Sequence, residues 1–357
     1  MLFPLIALLI SLAILLSLSR PRTLPNQEAS AQKISLIIPA RDEEQNIARL
    51  LNSLREQSTH PLEILVIDDQ STDKTASVAR DLGATVITGK EMPPGWKGKT
   101  WACQQGAHAA SGDWLLYLDA DTLILPDGLA KIAALTAQKA THSICPYHRV
   151  RKPYEQLSAY FNAITLAGVD AFASTPSQQA TLFGQALLIP RDHYHQAGGH
   201  EAVKDEILEN FQFARLLKNN DIAVYLYLGK GTIEMRMFPH GLSQLANSWK
   251  KGFLAGAAQS PKRALLTTSL WLTGGMILTI ALALLPFLDF PPLKTTLACA
   301  LAYSLLSFHC FRLAGNFHLL TALLFPIPLL FYQTLFFKAL LDKKKGVKST
   351  WKGRTLN

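Results

Sequence analysis

Trp114–Leu118 is a run of five apolar residues closed by Asp119-Ala120-Asp121. A short apolar run of this kind reads as a buried strand, and in an open α/β sheet ligands bind at the carboxyl ends of strands. Alternate residues of an extended segment point the same way, so both carboxylates can face one ligand. Oxygen donors on a short tether suit a hard divalent cation, Mg²⁺ or Mn²⁺, held together with a diphosphate. Asp-x-Asp alone also describes a solvated turn, so the other strand ends have to decide between the two.

Residues 33–240 alternate strand and helix signals. Ile34–Ile38, Glu63–Ile67, Ala84–Ile87 and Trp114–Leu118 have strand character. Asn46–Gln57, Asp73–Leu82 and Trp101–Ala110 have helical spacing, the second ending at Gly83 as a C-cap. Such alternation predicts an α/β fold with a parallel sheet covered on both faces. Polar clusters follow three strands: Pro39-Ala40-Arg41-Asp42-Glu43-Glu44, Asp68-Asp69-Gln70-Ser71-Thr72-Asp73 and Asp119-Ala120-Asp121. Acidic residues also cap helices, and capping is the preferred use of Asp73. Capping explains less well why all three clusters fall on one sheet edge, whereas a nucleotide diphosphate with its metal accounts for it.

The 357 residues are 49% hydrophobic, and the excess is localised. Leu2–Leu18 carries no charge and precedes Arg20 and Arg22, which reads as a retained anchor with the following domain in the cytoplasm. Further apolar runs span Leu265–Leu288, Thr295–Phe311 and Leu319–Leu341, the last broken by Pro326 and Pro328. Lysine clusters flank them at both ends. Three crossings would put those clusters on opposite sides, so one run is expected to be re-entrant or interfacial, either Thr295–Phe311 or the proline-broken one. The expected organisation is an anchor at 1–22, a catalytic domain at 33–240, an interfacial linker at 241–264, a transmembrane region at 265–341 and a basic tail at 342–357. Net charge is +9. The lysines lie beside the apolar runs, so membrane lipid headgroups are the expected partner and nucleic acid is not. Cys103, Cys145, Cys299 and Cys310 have no metal or disulfide spacing.

Ser35-Leu-Ile-Ile-Pro-Ala-Arg-Asp-Glu-Glu, Val66-Ile-Asp-Asp-Gln-Ser-Thr-Asp and Leu118-Asp-Ala-Asp together resemble the family 2 glycosyltransferases. Gly95-Trp-Lys-Gly-Lys-Thr-Trp-Ala, Gly198-Gly199-His200, Glu209, Arg236-Met237-Phe238 and Trp351-Lys352-Gly353-Arg354 extend the likeness to its membrane-bound members. Those acting on C30 carotenoid acids are most similar, and hopanoid-associated ones are close. The resemblance implies a GT-A fold with a Rossmann-like mixed sheet, joined to an N-terminal anchor and C-terminal transmembrane helices. It implies an inverting transfer of a hexose from a UDP-sugar to an apolar lipid acceptor, with Mg²⁺ or Mn²⁺.

Residue roles follow from the same resemblance. Asp69 would bind the base, while Pro39, Ala40 and Glu43 line the base and ribose pocket. Asp121 would hold the metal, and Asp119 the ribose or the metal–diphosphate. Lys99 would approach the diphosphate. Glu209 would be the catalytic base, with Glu206 and Asp205 nearby. Arg236 would stabilise the leaving diphosphate, and Trp351, Lys352 and Arg354 would turn toward the diphosphate or grip headgroups. Tyr154–Ala173 is expected to be either an interfacial helix lining acceptor access or a core helix. One departure is Asn210, where most members carry a second carboxylate. Another is the lack of Gln-x-x-Arg-Trp, which argues against a polymer-extruding synthase. No G-x-G-x-x-G follows the first strand, which disfavours an NAD-type enzyme. A non-catalytic nucleotide-sugar-binding membrane protein and other lipid acceptors remain open.

Overall fold

The computed structural model describes residues 2–173, 181–206, 209–287, 292–345, 349–351 and 354–356. Leu288, Lys352 and Gly353, which figure in the expectations above, lie outside the described residues. The chain forms two compact units. One is Arg22–Tyr147 with Gln179–Arg236; the other is Met1–Pro21, His148–Gln178 and Met237–Asn357. The second segment of the helical unit, His148–Gln178, comes from within the stretch 33–240.

In the α/β unit the strands are β1 (Ile34–Ala40), β2 (Glu63–Asp68), β3 (Thr85–Thr88), β4 (Trp114–Leu118), β5 (Thr122–Ile124), β6 (Thr141–Cys145), β7 (Ala186–Pro190), β8 (Val224–Leu228) and β9 (Ile233–Met235). Seven form one sheet in the order β3-β2-β1-β4-β7-β6-β8. β1 runs parallel to β2 and β4, and β2 to β3. β7 is antiparallel to both β4 and β6, so the sheet is mixed. This is the mixed sheet that the family resemblance implies; the strand–helix alternation by itself pointed only to its parallel part, β1 to β4. β7 lies inside the sheet, antiparallel to β4 on one side and β6 on the other, and β6 pairs parallel with β8.

Alternation along β1 explains the two cores. Ile34, Leu36 and Ile38 pack on one face with Leu50, Leu51, Leu116 and Leu129. Ile37 packs on the other with Leu65, Ile67, Ala102, Leu187 and Phe213. Strands apolar on both faces have to be sandwiched between helices. Helices Glu44–Arg55 and Gly98–Ala109 supply those layers on opposite sides. Because β2 and β4 lie on opposite sides of β1, the chain reverses its winding at β1/β4. That switch point opens a crevice at the carboxyl ends of the strands.

The helical unit contains Leu2–Ser11, Ala159–Gly168, Leu242–Gln259, Lys262–Leu284, Leu293–Ala314 and Pro326–Lys344. Lys262–Leu284 and Leu293–Ala314 are long and apolar enough to cross a membrane. The proline-broken run divides into Leu319–Leu323 and Pro326–Lys344. Leu266, Ile280, Leu297, Leu301, Leu305 and Phe337 turn at least half of their surface outward, an apolar belt that water would not favour. Close packing inside the unit uses small residues. A Cβ on Gly274 would come within 2.3 Å of Ala7 O, so only glycine lets the N-terminal helix lie against Lys262–Leu284. Tyr160 and Phe161 are buried, with the Tyr160 ring 4.8 Å from that of Trp271. Ala159–Gly168 is thus a packed helix of this unit. All four cysteines are buried and unpaired.

Candidate active site

The loops after β1 and β2 are laced together. Asp69 N–H donates to Ala40 O at 2.8 Å, and Arg41 Nη1 donates to Asp69 O at 3.2 Å. Asp73 accepts from Thr75 N–H at 2.9 Å and Glu44 N–H at 3.2 Å, which ties the first turns of two helices together. Asp73, one residue before the N-cap Lys74, thus satisfies N–H groups at both helix starts, close to the capping use expected of it. Asp68 Oδ1 accepts Ser71 N–H at 3.2 Å and closes the turn. Asp69 and Ala40 are buried at the ends of β2 and β1.

Beyond β4 the chain turns sharply. Asp119 N–H donates to Gln185 O at 2.9 Å, and Thr122 Oγ1 donates to Asp119 O at 2.7 Å. These bonds fix both aspartates beside the crevice. The helix opening at Gly98 is held by Lys97 N–H and Thr100 Oγ1, which donate to Lys204 O at 3.1 and 3.2 Å. Its second residue, Lys99, places Nζ 2.6 Å from Asp119 Oδ1 and 3.4 Å from Gly184 O. Gly184 has no room for a side chain, since a Cβ there would meet the Asn210 amide at 2.1 Å. Asn210, in place of the second carboxylate, is packed on that glycine.

One pocket collects Pro39, Lys99, Asp119, Gly184, His200 and Glu209. Glu209 opens helix Glu209–Asn219, while Asp205 and Glu206 are exposed and do not line the pocket. Burial raises the Glu209 carboxyl above its ordinary value, and Lys99 offsets this in part. Burial also opposes charge on Lys99, but Asp119 and Glu209 outweigh it and hold the ammonium firmly protonated. Asp121 is different. Burial, then repulsion from Asp119 and Glu43, pushes its carboxyl up to about 7, and Lys99 relieves little of this. The acidic trio is short of positive charge.

That deficit is where a divalent cation fits. No group of three His, Cys, Asp or Glu that could hold a metal occurs among the described residues. Mg²⁺ held with a nucleotide diphosphate needs only one or two protein carboxylates, because phosphates and water fill the rest. Asp121 with Asp119 meets that need. Arg236 directly follows β9 and is not among the residues lining the pocket. The sequence reading also missed Tyr194 and Gln104, which lie behind His200. Both sit in ordinary helical patterns and carried no signal.

A mixed sheet with an aspartate pair at its switch point is the arrangement expected of a GT-A fold. The family model "Glycosyl transferase family 2" matches residues 35–200. The chain is 30% identical over 328 residues to 4,4'-diaponeurosporenoate glycosyltransferase of Staphylococcus aureus strain USA300, covering 90% of this chain and 87% of that one. The enzyme of that name from strain MRSA252 matches at the same identity and coverage. Among solved structures, a mannosyltransferase from Pyrobaculum calidifontis, in complex with GDP-Man and Mn²⁺, superposes with TM-score 0.52. It covers 97% of this chain and 99% of that one at 17% identity. The chain belongs to the family 2 glycosyltransferases, and it is a glycosyltransferase enzyme.

Proposed function

We propose that this enzyme moves a hexose, glucose, from a UDP-sugar to an apolar membrane lipid, a carotenoid carboxylate, with inversion. The observation that carries the reading is the convergence of Lys99, Asp119 and Glu209 in one pocket at the switch point. The sugar-nucleotide and metal reading draws on GDP-Man and Mn²⁺ in the P. calidifontis mannosyltransferase, and the choice of UDP-glucose on the family resemblance. The acceptor reading draws on the name of the S. aureus relatives.

Asp69, Ala40, Pro39 and Glu43 take the nucleoside end. Asp121 and Asp119 would hold Mg²⁺ or Mn²⁺, which when bound would supply positive charge against the diphosphate. Lys99 contributes a second fixed charge beside it, preorganised by its bond to Asp119. Arg236 adds to the leaving-group charge balance. The acceptor oxygen attacks the anomeric carbon from the face opposite the diphosphate. Its new C–O bond forms as the bond to the diphosphate oxygen breaks, and the nucleoside diphosphate departs with that electron pair. Where the acceptor is a hydroxyl, Glu209 takes its proton, an effect of roughly 10²–10⁴-fold. Where it is a carboxylate, no proton needs removing, and one acidic residue is enough.

The apolar helices would hold the enzyme at the bilayer, where such an acceptor dissolves. The proposed arrangement is an anchor at 1–22, the catalytic domain at 33–240 on the cytoplasmic side, a linker at 241–264, a transmembrane region at 265–341 and a basic tail at 342–357. Two apolar crossings would return the flanking lysines to one side.

The test is to incubate detergent-purified protein with UDP-glucose, Mn²⁺ and a C30 carotenoid acid, then measure UDP release and product mass. Acceptor-dependent UDP release with a hexose adduct supports the reading. Release without an adduct moves the acceptor to hopanoids or glycerolipids, and nucleotide binding without release overturns turnover altogether.

A further inference from the structure

His200 lines the pocket together with Lys99, Asp119 and Glu209, and the surrounding hydrogen bonds fix which of its ring nitrogens carries the proton. The deduction starts from Gln104. Its Oε1 accepts the backbone N–H of Glu201 at 3.2 Å, which identifies that atom as the amide oxygen. Tyr194 Oη lies 2.8 Å from the same oxygen and can only donate to it. The single phenolic proton is then spent. Tyr194 Oη also accepts the backbone N–H of His200 at 3.0 Å. A third contact, 2.9 Å to His200 Nδ1, must therefore be Nδ1–H donating to the phenol oxygen. Nε2 is left as a bare acceptor, and it has no protein hydrogen-bond partner among the described residues.

The backbone enforces this arrangement. Gly199 has φ +59°, and a Cβ there would lie 2.7 Å from Tyr194 Cε1 and 3.0 Å from Gln104 Oε1. Only glycine lets residue 200 come down onto the phenol. The imidazole is clamped as well, stacked on Phe213 at 5.5 Å and edge-on to Tyr117 at 5.1 Å. Burial and the Lys99 charge push its pKa down to about 3, so the ring stays neutral at working pH. With Nδ1–H committed to the phenol, Nε2 is a fixed hydrogen-bond acceptor.

A group held between the aspartate pair and Glu209 is the sugar of a nucleotide donor. An apolar acceptor has little use for a polar imidazole, whereas a hexose offers a hydroxyl on nearly every carbon. We propose that His200 Nε2 accepts a hydrogen bond from one hydroxyl of the transferred hexose and so reads donor identity. The assignment rests on the glycosyl-transfer reading of this pocket.

The test is a specificity cycle. The donor is whichever of the UDP- and GDP-hexoses the wild-type enzyme turns over, and each monodeoxy analogue of that donor is compared with it by kcat/KM. In the wild type, removing one particular hydroxyl costs roughly 10-fold to 100-fold, as expected for a hydrogen bond lost from a buried acceptor. In His200→Phe, which keeps the stacked shape, the penalty at that hydroxyl shrinks to within about 3-fold while the others stay. Tyr194→Phe, which frees the tautomer without touching the ring, lowers the same penalty partway. It also removes the unprotonated-Nε2 signature from the ¹⁵N spectrum of His200. If His200→Phe slows every donor by one common factor, or if Tyr194→Phe leaves the ¹⁵N signature unchanged, His200 is packing and the proposal falls. If the wild type turns over no sugar nucleotide, the reading of the pocket falls first and takes the proposal with it.

Discussion

Lys99 Nζ lies 2.6 Å from Asp119 Oδ1, at the carboxyl end of a strand buried on both faces. The pair links a helix start to the aspartate motif, and Lys99 supplies positive charge in a pocket whose carboxylates are Asp119 and Glu209. Lys99→Ala should lower the rate of UDP release by about 10²–10³-fold, the size of a lost preorganised electrostatic contact. Lys99→Arg should recover part of it. The melting temperature should fall in Lys99→Ala, which leaves Asp119 without its partner among other carboxylates, and less in Lys99→Arg, which keeps the charge.

Asp121 carries charge that its neighbours resist. Adding Mn²⁺ with UDP should raise the melting temperature of the wild type through mass action, and should not do so for Asp121→Asn. Without metal the variant should be as stable as the parent or more so at pH 8, because it removes repulsion from Asp119 and Glu43. A metal-induced shift that survives in Asp121→Asn would remove this residue from the metal site.

Glu209 gives opposite pH signs for stability and for activity. Its carboxyl titrates higher folded than unfolded, so between those two values the folded state binds more protons and stability falls as pH rises. Catalysis by its anion rises through the same window. Glu209→Gln should flatten the stability slope and remove the acidic limb of kcat/KM with a hydroxyl acceptor. With a carboxylate acceptor the loss should be much smaller.

Gly184→Ala would drive a Cβ into the Asn210 amide. Repacking there should cost about 1–3 kcal/mol, read as a lower denaturation midpoint. Activity should fall with it, because Gly184 O receives the Lys99 ammonium.

In the helical unit, Arg263 Nη2 donates to both oxygens of Asp170 at 2.8 Å, and the Asp170 side chain is fully buried. Arg263→Ala would take this donor away from a buried carboxylate, at a cost of about 2 kcal/mol or more. Thermal unfolding in detergent checks this, and Arg263→Lys should restore part of the loss.

Much of this was legible from residue order. Trp114–Leu118 emerged with the boundaries its apolar run dictates, and the helices and strands before it shifted by only a few residues. Periodicity reports local burial well, so the parallel half of the sheet was readable. The antiparallel insertion of β7 was not, because which edge a strand joins is decided by distant pairing. The aspartate motif stood out because charge at a strand end is conspicuous, whereas Lys99 and Glu209 came into view only through the family resemblance. The Gln104–Tyr194–His200 network was invisible, since its members are 96 residues apart at the extremes and meet only through the turn at Gly199. The split of residues 148–178 from the α/β unit was likewise hidden in an unremarkable aromatic helix.

The anomeric configuration of the product tests the central claim most directly. Nuclear magnetic resonance of the glycosylated lipid, made by purified enzyme from an α-linked UDP-hexose, reads it from the anomeric proton coupling. A single displacement with Glu209 as the one acidic residue predicts the β-linked product. An α-linked product would require a second displacement or front-side attack, and would contradict the account.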